Sequence, residues 1–237
     1  MICAIVQARM TSSRLPGKVM REVLGKPLIG YLLERLKSSE MLDKIIVATS
    51  RNPQEKILCD YVQAQGFEIF RGPEKDVLER YYQAAVLHHP KVVVRITADC
   101  PLMDYKIVDQ AIDCYLQNNF DYVSNIMPRS YPDGLDVEVF SFEALEMARN
   151  QTSGAGDREH VTFFIRNSGQ FKLGNVKAQK DYSLERWTLD YEEDFVLIKN
   201  IIEHFTPQKK YFDMNDILLY QKERPEIFEI NRQYVSV

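Results

Sequence analysis

Residues 2–6, Ile-Cys-Ala-Ile-Val, form an unbroken apolar run, and a basic loop, Gln7 to Lys18 (QARMTSSRLPGK), follows at once. A short β-branched run of this kind predicts a buried strand. The loop is built mostly from small residues and carries three fixed positive charges, Arg9, Arg14 and Lys18. A first strand that ends in such a loop suits a triphosphate at the rim of a parallel sheet. Backbone N–H groups and cationic side chains can surround phosphate oxygens there without bulky neighbours. An ordinary solvated loop is the alternative, because charge spacing in a loop is a weak motif. The loop has neither the Walker A spacing nor a GxGxxG fingerprint, which disfavours an ATPase or a dinucleotide enzyme.

Strand and helix alternate beyond the loop. Leu28, Ile29, Leu32, Leu33 and Leu36 mark one helical face after Pro27. Ile45–Ala48 predicts a second strand, Asn52-Pro53 the start of a helix that buries Ile57, Leu58, Tyr61 and Val62, Phe67–Phe70 a third strand and Asp76–Leu87 a third helix. Val92–Ile96 predicts a central fourth strand ending in Thr97-Ala98-Asp99-Cys100, and a following helix buries Ile107, Val108, Ala111, Ile112, Tyr115 and Leu116. The fold expected is α/β: a doubly wound, mostly parallel sheet with helices on both faces.

The pattern changes after residue 123. Asp121-Tyr122-Val123 predicts a short strand; a turn-rich segment follows, and LDVEVF (135–140) alternates apolar and acidic residues, placing Asp136 and Glu138 on one face. Asp157-Arg158-Glu159-His160 leads into a helix with Val161, Phe164 and Ile165. ERWTLD (185–190) predicts a strand ending in an acid, and helices return after Tyr191. The division expected is a single domain over 1–237, with a first half (1–123), an inserted segment (124–181) and a return to the core (182–237).

The formal charge of −4 argues against a general nucleic-acid binder, and no apolar run is long enough for a membrane span. No signal pattern precedes the first strand, so the expected location is cytoplasmic. Four cysteines, Cys3, Cys59, Cys100 and Cys114, match no zinc spacing and read as reduced, buried residues.

Ligands in open parallel sheets sit beyond the carboxyl ends of the strands. The basic loop, Thr49-Ser50, Asp99 and Asp190 all fall there. Two carboxylates facing a basic loop suit Mg²⁺, which takes one or two carboxylates together with substrate phosphates. Helix N-caps are the alternative for each Asp, favoured for Asp104 and Asp194. His88-His89 reads as a solvated helix end.

QARMTSSRLPGK followed by GKPLIGYLLERL resembles the start of sugar-acid cytidylyltransferases, the synthetases of CMP-KDO and CMP-sialic acid. DVLERYYQAA (76–85), RITADCPLMD (95–104), PDGLDVEVF (132–140), REHVT (158–162) and RWTLDYEED (186–194) resemble the narrower spore coat polysaccharide biosynthesis protein F branch. The resemblance implies transfer of CMP from CTP to a sugar or sugar acid with release of pyrophosphate, for surface or spore-coat polysaccharide. It implies Arg9, Arg14 and Lys18 on the triphosphate, Asp99 and Asp190 on Mg²⁺, and Arg9, Lys18 and Asp99 at the reacting phosphate. Ala8, Thr97, Ala98, Arg71 and Arg80 would frame the nucleotide, and Asp136, Glu138, Arg158 and His160 the sugar. Also implied are a GT-A/Rossmann-like nucleotidyltransferase domain, with 1–123 as its nucleotide-binding half and 124–181 as an inserted sugar-binding segment, and a homodimer through that 124–181 segment. Asp76-Val77-Leu78-Glu79-Arg80 replaces the Ser-Gly-Thr-Asp-Arg type of motif of the CMP-KDO enzymes, so neither KDO nor sialic acid follows as substrate. The other readings are a GT-A glycosyltransferase using a finished nucleotide sugar, and a non-catalytic nucleotide- or sugar-binding subunit. Asp99-Cys100-Pro101 lacks the second acid of the DxD motif that a glycosyltransferase would use.

Overall fold

The computed structural model describes residues 1–209 and 211–235. The strands are β1 (Ile2–Gln7), β2 (Glu22–Val23), β3 (Lys26–Pro27), β4 (Lys44–Ser50), β5 (Glu68–Gly72), β6 (Val92–Thr97), β7 (Tyr122–Ser124), β8 (Glu138–Ser141) and β9 (Leu173–Asn175). The helices are α1 (Leu28–Leu36), α2 (Lys56–Ala64), α3 (Val77–Val86), α4 (Tyr105–Gln117), α5 (Phe142–Gln151), α6 (Ala155–His160), α7 (Phe163–Asn167), α8 (Glu192–Phe205), α9 (Met214–Glu223) and α10 (Pro225–Phe228).

Seven strands form one sheet in the order β5-β4-β1-β6-β8-β7-β9, with β2 and β3 as a separate hairpin. Every pairing in the large sheet is parallel except those of β8, which runs antiparallel to β6 and β7. β1 is central, and its residues alternate between two cores. Ala4 and Val6 pack under α1, α4, α8 and α9, while Cys3 and Ile5 pack under α3 and α5. A strand covered on both faces needs apolar residues at every position, which is why residues 2–6 read as a continuous run. Val92, Val93, Val94 and Ile96 do the same on β6, each worth about 1.5–3 kcal/mol when fully buried.

Helix starts carry the local signals. The Asp76 side chain caps α3 by accepting from Glu79 N, Asp104 caps α4 through Lys106 N, and Ser141 caps α5 through Ala144 N. Asn52 makes no side-chain cap; a 3-10 turn over Pro53–Glu55 leads into α2 instead.

Four expectations are corrected. ERWTLD (185–190) is not a strand; only Arg186 makes an isolated bridge, to Asp133. Its backbone is tied to two loops: Trp187 N donates to Asp133 O (2.6 Å) and Leu189 N to Asp99 O (2.8 Å). β8 begins only at Glu138, leaving Asp136 in the preceding loop. The helix expected from Asp157 is two short ones, α6 and α7, broken where Val161 adopts φ 54°. Ile57 and Leu116, expected inward, face solvent.

Candidate active site

The carboxyl ends of β1, β4 and β6 meet at one rim, because the three strands are parallel neighbours in register. Ala8 N donates to Ala48 O (3.2 Å) and Ala98 N to Gln7 O (2.9 Å), so each chain leaves the sheet stitched to its neighbour. The basic loop closes on itself through Gly17 N to Met10 O (2.9 Å), with Gly17 at φ 70°, a conformation that favours glycine. The buried Glu55 fixes the loop. Its carboxylate accepts from Met10 N (3.0 Å), Thr49 Oγ1 (2.8 Å) and Ser50 Oγ (3.1 Å). Thr11 Oγ1 donates to Glu74 Oε1 (2.7 Å) on the other side.

The result is a cleft of about 130 Å³ lined by Gln7, Ala8, Arg9, Arg14, Lys18, Thr97, Ala98, Asp99 and Asp190, with Ser12, Ser13 and Val19. Lys18 is 8 % exposed. Its Nζ donates to Leu189 O (2.6 Å), Asp190 Oδ1 (2.9 Å) and Asp99 Oδ2 (3.3 Å). Arg14 Nη2 lies 2.7 Å from the same Asp190 oxygen. Burial pushes the Asp99 carboxyl up, but the Lys18 ammonium and the Thr97 hydroxyl outweigh it and hold the group below its usual range. Arg9 forms no ion pair among the described residues; it borders both the cleft and a neighbouring hollow of about 380 Å³ that also touches Glu74, Asp76 and Arg158.

Among the described residues no three His, Cys, Asp or Glu side chains converge as a metal cage. Two carboxylates do converge, and the Lys18 ammonium marks the cation position between them. This donor set fits an ion that takes two protein carboxylates and completes its shell with phosphate oxygens and water, as Mg²⁺ does. It does not fit a closed zinc site.

Other residues named from the sequence lie around this cleft. Arg71 reaches the carbonyls of Ser50 (3.3 Å), Arg51 (2.9 Å) and Asn52 (2.9 Å), bracing the turn after β4. Arg80 is fully buried on α3; Nη1 donates to Pro73 O (2.7 Å), while Nε and Nη2 have no partner. Glu138 is buried on β8, ion-paired with Arg95 and accepting from Tyr122 Oη (2.7 Å) and the Thr162 hydroxyl. Asp136 pairs with Arg129. Arg158 on α6 pairs with Asp76 and with Glu79 (3.3 Å), and His160 is exposed at the helix end.

Asp133 and Arg186 escaped the sequence reading. Arg186 Nη1 donates to Asp133 Oδ2 (3.0 Å), and its other nitrogens grip Asp194. Burial and the Asp136 carboxylate push the Asp133 carboxyl up to about 6; Arg129 and Arg186 offset this only in part. The signal available was the PDG turn: Gly134 stands at φ 109°, and a Cβ there would meet Trp187 C and Thr188 N at 2.5 Å. A larger hollow, about 540 Å³, opens between α1 and the α8–α9 connection, walled by Tyr31, Tyr105, Tyr211 and Phe212. It holds none of the residues of the basic loop.

A profile of the cytidylyltransferase family matches residues 3–231. The chain belongs to the cytidylyltransferase family. It is 31% identical over 210 residues to the spore coat polysaccharide biosynthesis protein SpsF of Bacillus subtilis (strain 168), covering 85% of this chain and 86% of the relative. It is 32% identical over 113 residues to the 3-deoxy-manno-octulosonate cytidylyltransferase of Anaeromyxobacter sp. (strain K), a match spanning about half of each, 47% and 46%. The solved structure of a cytidylyltransferase from Leptospira borgpetersenii serovar Hardjo-bovis (strain JB197) superposes with a TM-score of 0.92 at 30% identity, covering 100% of this chain and 98% of that one. The resemblance read from the sequence therefore holds at the level of family. This cytidylyltransferase has no helix among its described residues long and apolar enough to cross a membrane.

Proposed function

We propose that this cytidylyltransferase transfers CMP from CTP to a hydroxyl of a sugar or sugar acid, releasing pyrophosphate, in the cytoplasmic synthesis of a surface or spore-coat polysaccharide. The observation that supports it is the meeting of Arg9, Arg14 and Lys18 with Asp99 and Asp190 in one cleft at the strand ends. Arg9, Arg14 and Lys18 hold the triphosphate and face the charge that develops on the α-phosphate and the departing pyrophosphate. Backbone groups at Ala8, Thr97 and Ala98 set the depth at which the nucleotide sits. Arg80 is fully buried and donates to the carbonyls of Pro73 and Glu74, so it would support the nucleoside edge from beneath; Arg71 supports the same edge. Asp99 and Asp190 would hold Mg²⁺, which when bound neutralises phosphate charge. The acceptor hydroxyl attacks the α-phosphorus, the bond to the pyrophosphate oxygen breaks, and the hydroxyl proton is lost. With no covalent enzyme intermediate, the protein's work is positioning and electrostatics.

The acceptor is assigned to the rim between β6 and β8, where Asp133 and Asp136 stand beside Asp99. Glu138 supports that rim from β8, while Arg158 on α6 lines the neighbouring hollow with Arg9 and, with the exposed His160, would meet the sugar from that side. The exposed Met127, Phe163 and Leu173 favour segment 124–181 as the contact of a homodimer; a monomer in light scattering at micromolar concentration would count against it.

The test is a thermal shift with each of the four nucleoside triphosphates, with and without Mg²⁺. Saturation at a hundred times the dissociation constant adds about 2.7 kcal/mol of apparent stability. A shift with CTP that requires Mg²⁺ is expected. A shift with diphosphate sugars and none with CTP would favour the glycosyltransferase reading instead.

A further inference from the structure

Asp190 has no strand to hold it. The segment that carries it crosses the rim without pairing alongside any strand, yet its carboxylate sits at the Lys18 ammonium with 7 % exposure. What fixes it is a buried carboxylate four residues later. Asp194 is fully buried and accepts from five donors. Its Oδ2 takes Asp190 N (2.8 Å), Tyr191 N (2.9 Å) and Arg186 Nη2 (2.8 Å). Its Oδ1 takes Arg186 Nε (3.0 Å) and Asn231 Nδ2 (2.8 Å). Asn231, 2 % exposed, comes from the segment after α10, and the same amide nitrogen donates to Arg186 O (3.0 Å). Both amide protons are therefore used on the two residues that frame Asp190. Three residues on, Tyr234 stacks on Tyr191 at 3.9 Å and 8°. The Arg14 guanidinium lies 5.5 Å from the Tyr191 ring centroid.

We propose that Asn231 and Tyr234 belong to the nucleotide site: Asn231 is a positioning residue that, through Asp194 and Arg186, holds the Asp190 carboxylate where it can share a cation with Asp99, and Tyr234 backs the ring against which Arg14 lies. A capping box alone would need only the N–H groups of Asp190 and Tyr191; it gives no reason for a distant amide to reach the outer oxygen of Asp194. Nor would it require an arginine that bridges Asp194, Asp133 and, at 3.6 Å, Asp190 itself. A group held this way keeps its geometry only while every partner stays in place.

The inference rests on the proposed CTP and Mg²⁺ reading of the cleft, and its test separates the two. Trp187, the single tryptophan, is fully buried beside Arg186 and reports on this segment by its emission. Binding of CTP is titrated with Mn²⁺ present and again in EDTA, following Trp187 emission and the loss of the free Mn²⁺ spin signal. Wild type, Asn231→Ala, Asp190→Asn and the double variant are compared, with Gln233→Ala, which touches only Glu193, as control. The expected result is about tenfold weaker binding of Mn²⁺ with CTP in Asn231→Ala and unchanged binding of CTP in EDTA. Asn231→Ala should have no further effect in the Asp190→Asn background, and Gln233→Ala none at all. Equal loss in Mn²⁺ and in EDTA, or additive losses in the double variant, would overturn the positioning role while leaving the nucleotide reading intact. Absence of CTP binding in the wild type would overturn both. Asn231→Ser, too short to reach Asp194, replaces the alanine variant if that one does not fold.

Discussion

Asp99 and Asp190 reach the same ammonium group by opposite means. Asp99 follows the end of β6, a strand paired on both sides, so its place is set by backbone register with β1 and β8. Asp190 follows a stretch with no ladder, and its place is set by side chains: Arg186, Asp194, Asn231 and the loop around Gly134. A sheet places a residue through many weak, redundant bonds, and losing one costs little. A side-chain network places it through a few partners that depend on one another, so single changes there should couple strongly.

The comparison can be broken at four points. Asp99→Asn should leave the fold and melting temperature nearly intact but reduce Mg²⁺-dependent pyrophosphate release from CTP by about 10³-fold, several kcal/mol of charge stabilisation; normal turnover would sink the shared-cation assignment. Glu138→Ala removes the partner of the buried Arg95, and about 3–5 kcal/mol of stability should go with it in chemical denaturation. Gly134→Ala places a Cβ at 2.5 Å from the Trp187 and Thr188 backbone at φ 109°, and about 2–4 kcal/mol should be lost. Unlike Glu138→Ala, it should also disturb Trp187 emission and weaken Mn²⁺-dependent CTP binding, because it moves the segment that carries Asp190.

The smallest effect concerns pH. In the unfolded chain Asp133 ionises near the ordinary aspartate value of about 3.9, whereas in the folded protein it holds its proton up to about 6. The folded state binds more protons between those values, so this residue lowers stability as pH rises from about 4 to about 6. Asp133→Asn carries no such penalty. Its melting temperature relative to wild type should rise as pH is raised from 4 to 7 and then level off. A difference that stays constant across that range would show that Asp133 is not held protonated by its neighbours.

The same contrast explains how much was legible in the sequence. Residues 2–6 and 92–96 announced themselves because both faces of a central strand must be apolar, and Arg9, Arg14, Lys18 and Asp99 followed from where those strands end. Asp104 as a helix cap and Asp194 as part of a helix start were likewise readable from local chemistry. ERWTLD looked like a strand because its composition suits one; its hydrogen-bond partners, the Asp99 and Asp133 carbonyls, are too distant in sequence for a local pattern to reveal. Glu138 and Asp136 were read as sharing one face from the alternation, but only Glu138 lies in β8, where it pairs with Arg95 and is buried. Glu55 and Asn231 gave no motif, and Arg186 stood in one without a role, since each acts through a partner that only the folded chain brings near. Ile57 and Leu116 were expected inside because helical spacing shows periodicity but not how wide the covered stripe is.

One inverted strand has a consequence for how the rim can vary. β7 ends at the rim and β8, running the other way, begins there, so residues 125–137 leave the sheet and re-enter it at the same edge. That excursion carries Arg129, Asp133 and Asp136, while the basic loop and Asp99 follow β1 and β6. Insertions at its exposed Met127-Pro128 tip need not shift the register of any strand, since surface loops tolerate length changes far better than ladders do. Its Asp133-Gly134 stretch is different, being bonded to Glu185 and Trp187 and packed against the segment that carries Asp190, so the tip can be rewritten while the base of the same loop stays fixed.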